Sequence, residues 1–214
     1  FQAALHDLIQ DTIKQHKRII FNGNGYDENW VEEAEGRGLL NLKTTPDCLP
    51  YFIKEKNVKL FATHKVFTET EIKARYEILL DNYSKLLHIE ALTMLDMSKK
   101  DLMPAYSAYT KRLSDTLLAK KAAVPGADCS YEEKEIEKIS GLVGDMFRKT
   151  EALEDTLLQM VHMDLDELGR AQYYRSKVFD AMNELRIAAD EAESVTSREF
   201  YPYPNYGDLL FGVR

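Results

Sequence analysis

TETEIKARYEILLDNYSKLLHIEALTMLDMSKKDLMPAYSAYTKRLSDTLLAKK, residues 68–121, decides the fold. The stretch holds no Gly and a single Pro, Pro104. At its start Thr68 and Glu71 stand three apart, the spacing of a capping box, flanked by Phe67 and Ile72 at the positions of a hydrophobic staple. Apolar residues then recur at helical spacing as far as Lys121, so the pattern predicts helix over about 80 Å. Pro104 lacks an N–H and should kink this helix or divide it. The first half is apolar around its circumference, with Ile78, Leu79, Leu80, Leu86, Leu87, Ile89, Leu92 and Leu95. That predicts burial on more than one side. The second half carries one stripe, Leu102, Tyr106, Tyr109, Leu113 and Leu117.

Downstream, VPGADC (124–129) breaks the helix, and Ser130 with Glu133 reads as a second capping box. Ile136, Ile139, Val143, Met146, Thr150, Leu153, Leu157 and Met160 follow in alternating steps of three and four, a coiled-coil seam. A further helix reads from Asp164 to about Ser197, with the seam Leu168, Ala171, Arg175, Val178, Met182, Leu185, Ala189 and Ala192. Arg175 at a seam position points either to a polar contact across the bundle or to a stem extended toward solvent. Short connections between long helices predict antiparallel packing.

Upstream the style differs. Residues 1–17 read as an amphipathic helix whose stripe, Phe1, Leu5, Leu8, Ile9 and Ile13, has no capping residue before it, as in a chain that extends further upstream. NGNGYDEN (22–29) is turn chemistry, Asp27 caps a short helix that Gly36 or Gly38 ends, and Thr45-Pro46 starts another. At the far end, REFYPYPNYGDLLFGVR (198–214) threads aromatic rings between prolines, which predicts an extended arm that docks. The expected fold is all-α. A short-helix and loop region occupies 1–67, a long-helix bundle of a kinked helix plus a helical hairpin occupies 68–197, and an extended aromatic arm occupies 198–214.

Composition narrows function. The formal net charge is −8 and no basic cluster stands out, which argues against nucleic-acid binding. No apolar run reaches the roughly 18 residues of a membrane span. Cys48 and Cys129 stand alone, without CxxC, and read as small buried hydrophobes in a reducing compartment, the cytoplasm. None of His6, His16, His64, His88 and His162 follows a Glu by three, so a di-metal bundle site is not predicted. HExxH, a GK[ST]-terminated phosphate loop and EF-hand spacing are also missing. Asp164 and Asp166 beside His162 read as helix-start acids rather than as an acid–base pair. From the residues alone the expectation is no catalytic, cofactor-binding or metal-ligating residue in this chain.

Three stretches add a resemblance: HKRIIFNGNGYDENWVEEAEGRGLLNLKTTPDCLPYF (16–52), KVFTETEIKARYEILLDNYSKLLHIEALTMLDM (65–97) and YPYPNYGDLLF (201–211). Together they closely resemble the C-terminal region of type III glutamine synthetase, the large bacterial form. The resemblance implies a ligase of nitrogen metabolism that uses ATP and Mg or Mn to activate glutamate as a γ-glutamyl phosphate, which ammonia attacks. It implies a cytoplasmic ring-shaped homo-oligomer, two stacked hexamers, with active sites between neighbouring subunits. The family's metal, ATP and glutamate motifs match no position here, so the resemblance transfers no catalytic residue. On this reading residues 1–67 end the catalytic domain or join it. The helices of about 98–197 form an insertion. The arm returns to pack on the catalytic domain or on the first third of this chain. The fragment is structural, inactive alone, with the upstream catalytic domain and neighbouring subunits as partners. A free-standing helical-bundle adaptor is the alternative, and the uncapped start at Phe1 stands against it.

Overall fold

The computed structural model describes residues 1–212, and among them the only regular elements are helices. They fall into two compact units, one of Phe1–Cys48 and one that begins at Leu49.

In the first unit α1 spans Gln2–His16 and buries no residue. A single 3₁₀ turn follows at Lys17–Ile19. Phe21 stacks on Trp30 at 3.9 Å between centroids. Trp30 belongs to α2 (Glu28–Gly36), whose N-cap Asp27 accepts from the Asn29 amide. Gly38 ends α2 at φ +73°, left-handed backbone that glycine adopts without strain. Its N–H donates to the Glu35 carbonyl and that of Leu39 to Ala34, a Schellman closure. Arg37 lies over the Trp30 ring and donates to the Ile20 carbonyl at 2.8 Å. The junction between the units falls within α3 (Thr45–Phe52). Cys48 on α3 is exposed, not buried as expected, because its turn faces outward; Cys129 is buried.

In the second unit α4 (Glu55–Thr63) leads to α5 (Glu69–Met97). The expected capping box forms: Thr68 Oγ1 accepts from the Glu71 amide, and the Glu71 carboxylate accepts from the Thr68 amide at 2.7 Å. Pro104 sits in the first turn of α6 (Met103–Ala123), where a missing N–H costs little. The break expected there takes the form of a π-helical turn, Ser98–Leu102, in which the Met103 N–H reaches back to the Ser98 carbonyl. The wider turn relieves the clash between the proline ring and the carbonyl four residues before it.

α7 runs from Ser130 to Val161. No capping box forms at Ser130, because the helix begins one residue earlier: the Glu133 amide donates to the Cys129 carbonyl at 3.0 Å, and Asp128 accepts from the Ser130 amide at 2.9 Å. The next helix, α8 (Glu167–Tyr173), is capped by Asp166 rather than Asp164, through the Gly169 amide at 2.8 Å. A second π-helical turn, Tyr174–Val178, separates α8 from α9 (Phe179–Val195).

Register follows from named pairs. Lys121 meets Glu133 near the hairpin and Lys99 meets Glu154 far from it, so α7 runs antiparallel to α5 and α6. Tyr173 donates to the Thr156 carbonyl and Lys149 pairs with Glu184, so α8 and α9 fold back along α7 in turn. The core of this bundle is one cluster. Leu95, Leu102, Tyr106 and Leu113 enter from the first long segment, Ile139, Met146 and Leu153 from α7, and Val178, Leu185 and Ala192 from the last. A buried hydroxyl pair, Ser98 with Thr150 at 2.9 Å, crosses it beside the first π turn. A smaller cluster joins Leu49, Leu80 and Ala171.

Candidate functional site

The long α5 is two-faced. Leu80, Leu87, Ala91 and Leu95 are buried in the two clusters. On the opposite side Ile78, Leu86, Ile89 and Leu92 are exposed, Leu86 to 60%. The expectation of burial on more than one side is therefore not met within this chain. The bundle covers one face, and the second apolar face has no cover among the described residues. Single exposed apolar residues are ordinary, but four along one helix face form a patch of the kind that marks an interaction surface. The α1 stripe is exposed as well, with Leu8 at 64%.

The arm behaves differently in its two halves. Phe200, Tyr201 and Tyr203 pack against the bundle core, with the Phe200 ring 5.3 Å from Tyr109. Tyr203 donates its hydroxyl to Asp101 Oδ2 at 2.7 Å. Within the second unit the arm docks onto α6, α9 and the first π turn, where the core offered a gap for rings. The second half is not extended. It forms α10, Tyr206–Phe211, because Asn205 and Asp208 close a capping box. Its Tyr206, Leu209, Leu210 and Phe211 are exposed.

Beneath the arm lies a cavity of about 150 Å³ between the first π turn, α6, α9 and the arm. Its walls are Met94, Met97, Leu102 and Leu185, with tyrosines 106, 201 and 203 and a rim of Arg186, Asp190 and Glu193. Burial, the bond to Glu193 and the charges of Glu193 and Asp190 push the Tyr201 phenol up to about 12. Burial and the bond to Asp101 do the same for Tyr203. Burial raises Tyr106 further. All three phenols therefore keep their protons at neutral pH.

The residues singled out from sequence scatter. Arg175 falls outside the core: it lies over the Phe179 ring at 4.9 Å and pairs with Asp180 on its own helix, so no contact crosses the bundle. The π turn shifts the seam by one residue and buries Tyr174 in its place, with its hydroxyl 3.0 Å from His88 Nδ1. Among the described residues, no three His, Cys, Asp or Glu side chains are grouped to hold a metal ion. None of the described helices is long and apolar enough to cross a membrane. The arm-covered cavity escaped sequence reading, although the spacing of Tyr201 and Tyr203, two apart on non-helical backbone, was its visible trace.

Comparison with known proteins supplies the lineage. The family model described as glutamine synthetase C-terminal domain matches residues 4–121, from within α1 to the last turn of α6. The chain is 44% identical over 211 residues to a glutamine synthetase of Butyrivibrio fibrisolvens, and the match covers 97% of this chain and 30% of that protein. It is 31% identical to a type-3 glutamine synthetase of Dictyostelium discoideum, covering 98% of this chain and 29% of the relative. A glutamine synthetase of Bacteroides fragilis is 25% identical over 219 residues. The chain thus spans about 30% of the length of the curated relatives it matches. The pairwise matches run through the helical hairpin and the arm, beyond the segment that the family model covers. By these matches the chain belongs to the glutamine synthetase C-terminal domain family.

Proposed function

We propose that this chain is the supporting, assembly-forming helical part of a glutamine synthetase that ligates ammonia to glutamate with ATP in the cytoplasm. The residues that bind ATP, hold Mg or Mn and carry out the chemistry lie in the remainder of the enzyme, and this part is inactive alone. Its role is to pack against the catalytic domain and neighbouring subunits of a ring-shaped homo-oligomer, a double hexamer. Residues 1–67 serve as the junction, 68–197 as the bundle and 198–214 as the arm. The single observation that carries this reading is the uncovered apolar face of α5, Ile78 through Leu92, opposite a face that is already packed. Matches that run over 97% of the chain within synthetases weigh against a free-standing adaptor.

Leu86→Glu in the whole enzyme tests it. The substitution lies on an exposed position, so the 214-residue chain keeps its melting temperature. The whole enzyme should sediment as smaller species and lose glutamine synthesis in proportion. Unchanged sedimentation of the whole enzyme would remove the assembly role of this face.

A further inference from the structure

We infer that a groove beside the exposed face of α5 receives a carboxylate side chain from a second copy of this chain, and that Arg170 is the residue that binds it. The inference rests on the reading of the α5 face as a subunit interface and names the polar contact within it. The groove lies where α5, the last turn of α7 and α8 meet, with a volume of about 390 Å³. Ile89 belongs both to the groove and to the exposed stripe of α5, so the two surfaces are continuous. Met160 and Val161 extend them across the end of α7, where Val161 is 69% exposed. An apolar surface this open fits another protein, whereas small-molecule sites enclose most of their ligand.

Arg170, on α8, lines the same groove and is half-buried. Among the described residues its side chain forms no ion pair, hydrogen bond or ring contact. The oxygens nearest to it are engaged elsewhere. Asp81, across the groove on α5, pairs with Lys85 at 2.6 Å. Asp166, one turn earlier on α8, spends Oδ1 on capping that helix through the Gly169 amide. At the floor, the buried Tyr174 hydroxyl is 3.0 Å from His88 Nδ1, and the buried Ser84 hydroxyl donates to the Leu80 carbonyl at 3.1 Å.

Charge then selects the occupant. Asp81 and Lys85 cancel, which leaves the guanidinium of Arg170 as the unbalanced charge of the groove. Its five N–H donors match a carboxylate in a planar, two-bonded fork. A purely apolar cover would remove that guanidinium from the rest of its water and give it nothing in return, a cost of several kcal/mol per ion. A cationic cover would add repulsion. A second copy of this chain has the required chemistry in surplus, with 36 Asp and Glu against 28 Lys and Arg. An interface between copies therefore sets an excess of carboxylates before a waiting arginine.

Two measurements on the whole enzyme test it. The first is sedimentation of Arg170→Met, which keeps an apolar stem of similar length and removes the charge. The carboxylate it leaves behind is buried without a cation, so subunit association should weaken at least about tenfold, while the isolated chain keeps its melting temperature because Arg170 bonds to nothing within it. The second is carbodiimide coupling of Arg170→Lys, which joins an amine only to a carboxylate already in contact with it. In enzyme assembled from ¹⁵N-labelled and unlabelled subunits, mass spectrometry should find residue 170 of one copy joined to an Asp or Glu of this chain in another. Association of Arg170→Met that is unchanged or tighter would make the groove an apolar contact and overturn the inference. So would coupling confined to one copy, coupling to a carboxylate in the remainder of the enzyme, or no coupling at residue 170. Leu86→Glu separates the two readings. If it dissociates the enzyme and Arg170→Met does not, the interface stands and the arginine contact falls; if it does not, the interface itself falls.

Discussion

The two units solve the problem of apolar surface in opposite ways. From α5 to α9 the second unit matches three long helical segments to one another, and Ile139, Met146 and Leu153 of α7 are removed from solvent entirely. In the first unit α1 carries as regular an apolar stripe, yet buries none of it. Helical periodicity is equally clear in both, so periodicity alone does not say whether a stripe finds its partner within the same chain. Stability of the isolated chain should therefore rest on the second unit, and single substitutions separate the two cases by size.

The largest effect is expected at Leu153→Asp. Leu153 is fully buried in the α7 seam, and an unpaired carboxylate there has neither water nor a cation to meet it. A loss of about 4 kcal/mol or more, at the extreme of single-substitution effects, follows from that desolvation. Urea unfolding followed by helical circular dichroism reads it. A midpoint equal to that of the parent would mean that the seam of α7 is not the core of the bundle.

Next in size is the response to alkali, which probes the arm. Tyr201 and Tyr203 titrate near 12 in the folded chain, against about 10 when unfolded. Between those values the folded form holds more protons than the unfolded one, so stability falls as pH rises. The contribution is complete below about pH 10 and disappears as pH passes through about 12. The urea midpoint should be flat from about pH 8 to 9.5 and drop above 10. Replacing both tyrosines by Phe should flatten part of that drop, because neither of the arm's two packed phenols remains to ionise. An unaltered drop in that double variant would place the alkaline weakness outside the arm.

Much of the bundle was legible. Thr68 and Glu71 announce the start of α5 through local chemistry, and they act within four residues of each other. The α7 seam was legible because it repeats without interruption from Ile136 to Met160. The last helix was read one residue out of place at Arg175 because a strict heptad cannot anticipate a π turn. The insertion at Tyr174–Val178 exchanges Arg175 for Tyr174, and its partner, His88, stands 86 residues away. Likewise the arm's rings declared that it docks, but not where. The Tyr203–Asp101 bond spans 102 residues and depends on the π turn that Pro104 induces. Ser130 does not cap α7 because the helix starts one residue before it: the Cys129 carbonyl takes the Glu133 amide, and Asp128 accepts from the Ser130 amide. Local capping, uninterrupted repeats and ring density survive reading from sequence, whereas turn-level register shifts are settled by packing.

The smallest effect closes the comparison from the other side. Ile9 lies on the α1 stripe and is half exposed. Ile9→Ser removes an apolar side chain from a helix with no buried residue, so the isolated chain should change by no more than about 0.5 kcal/mol, the range of ordinary surface substitutions. Helix propensity adds little to that change, since Ser and Ile rank closely. The proposed assembly makes a different demand on the same residue. If the remainder of the enzyme covers the stripe, Ile9→Ser in the whole protein should lower its melting temperature by several degrees while the isolated chain is unaffected. Melting both proteins side by side gives the decisive ratio. Equal small shifts in the two would mean that the α1 stripe stays in water even in the whole enzyme, and the contrast between the units would then be one of stability alone.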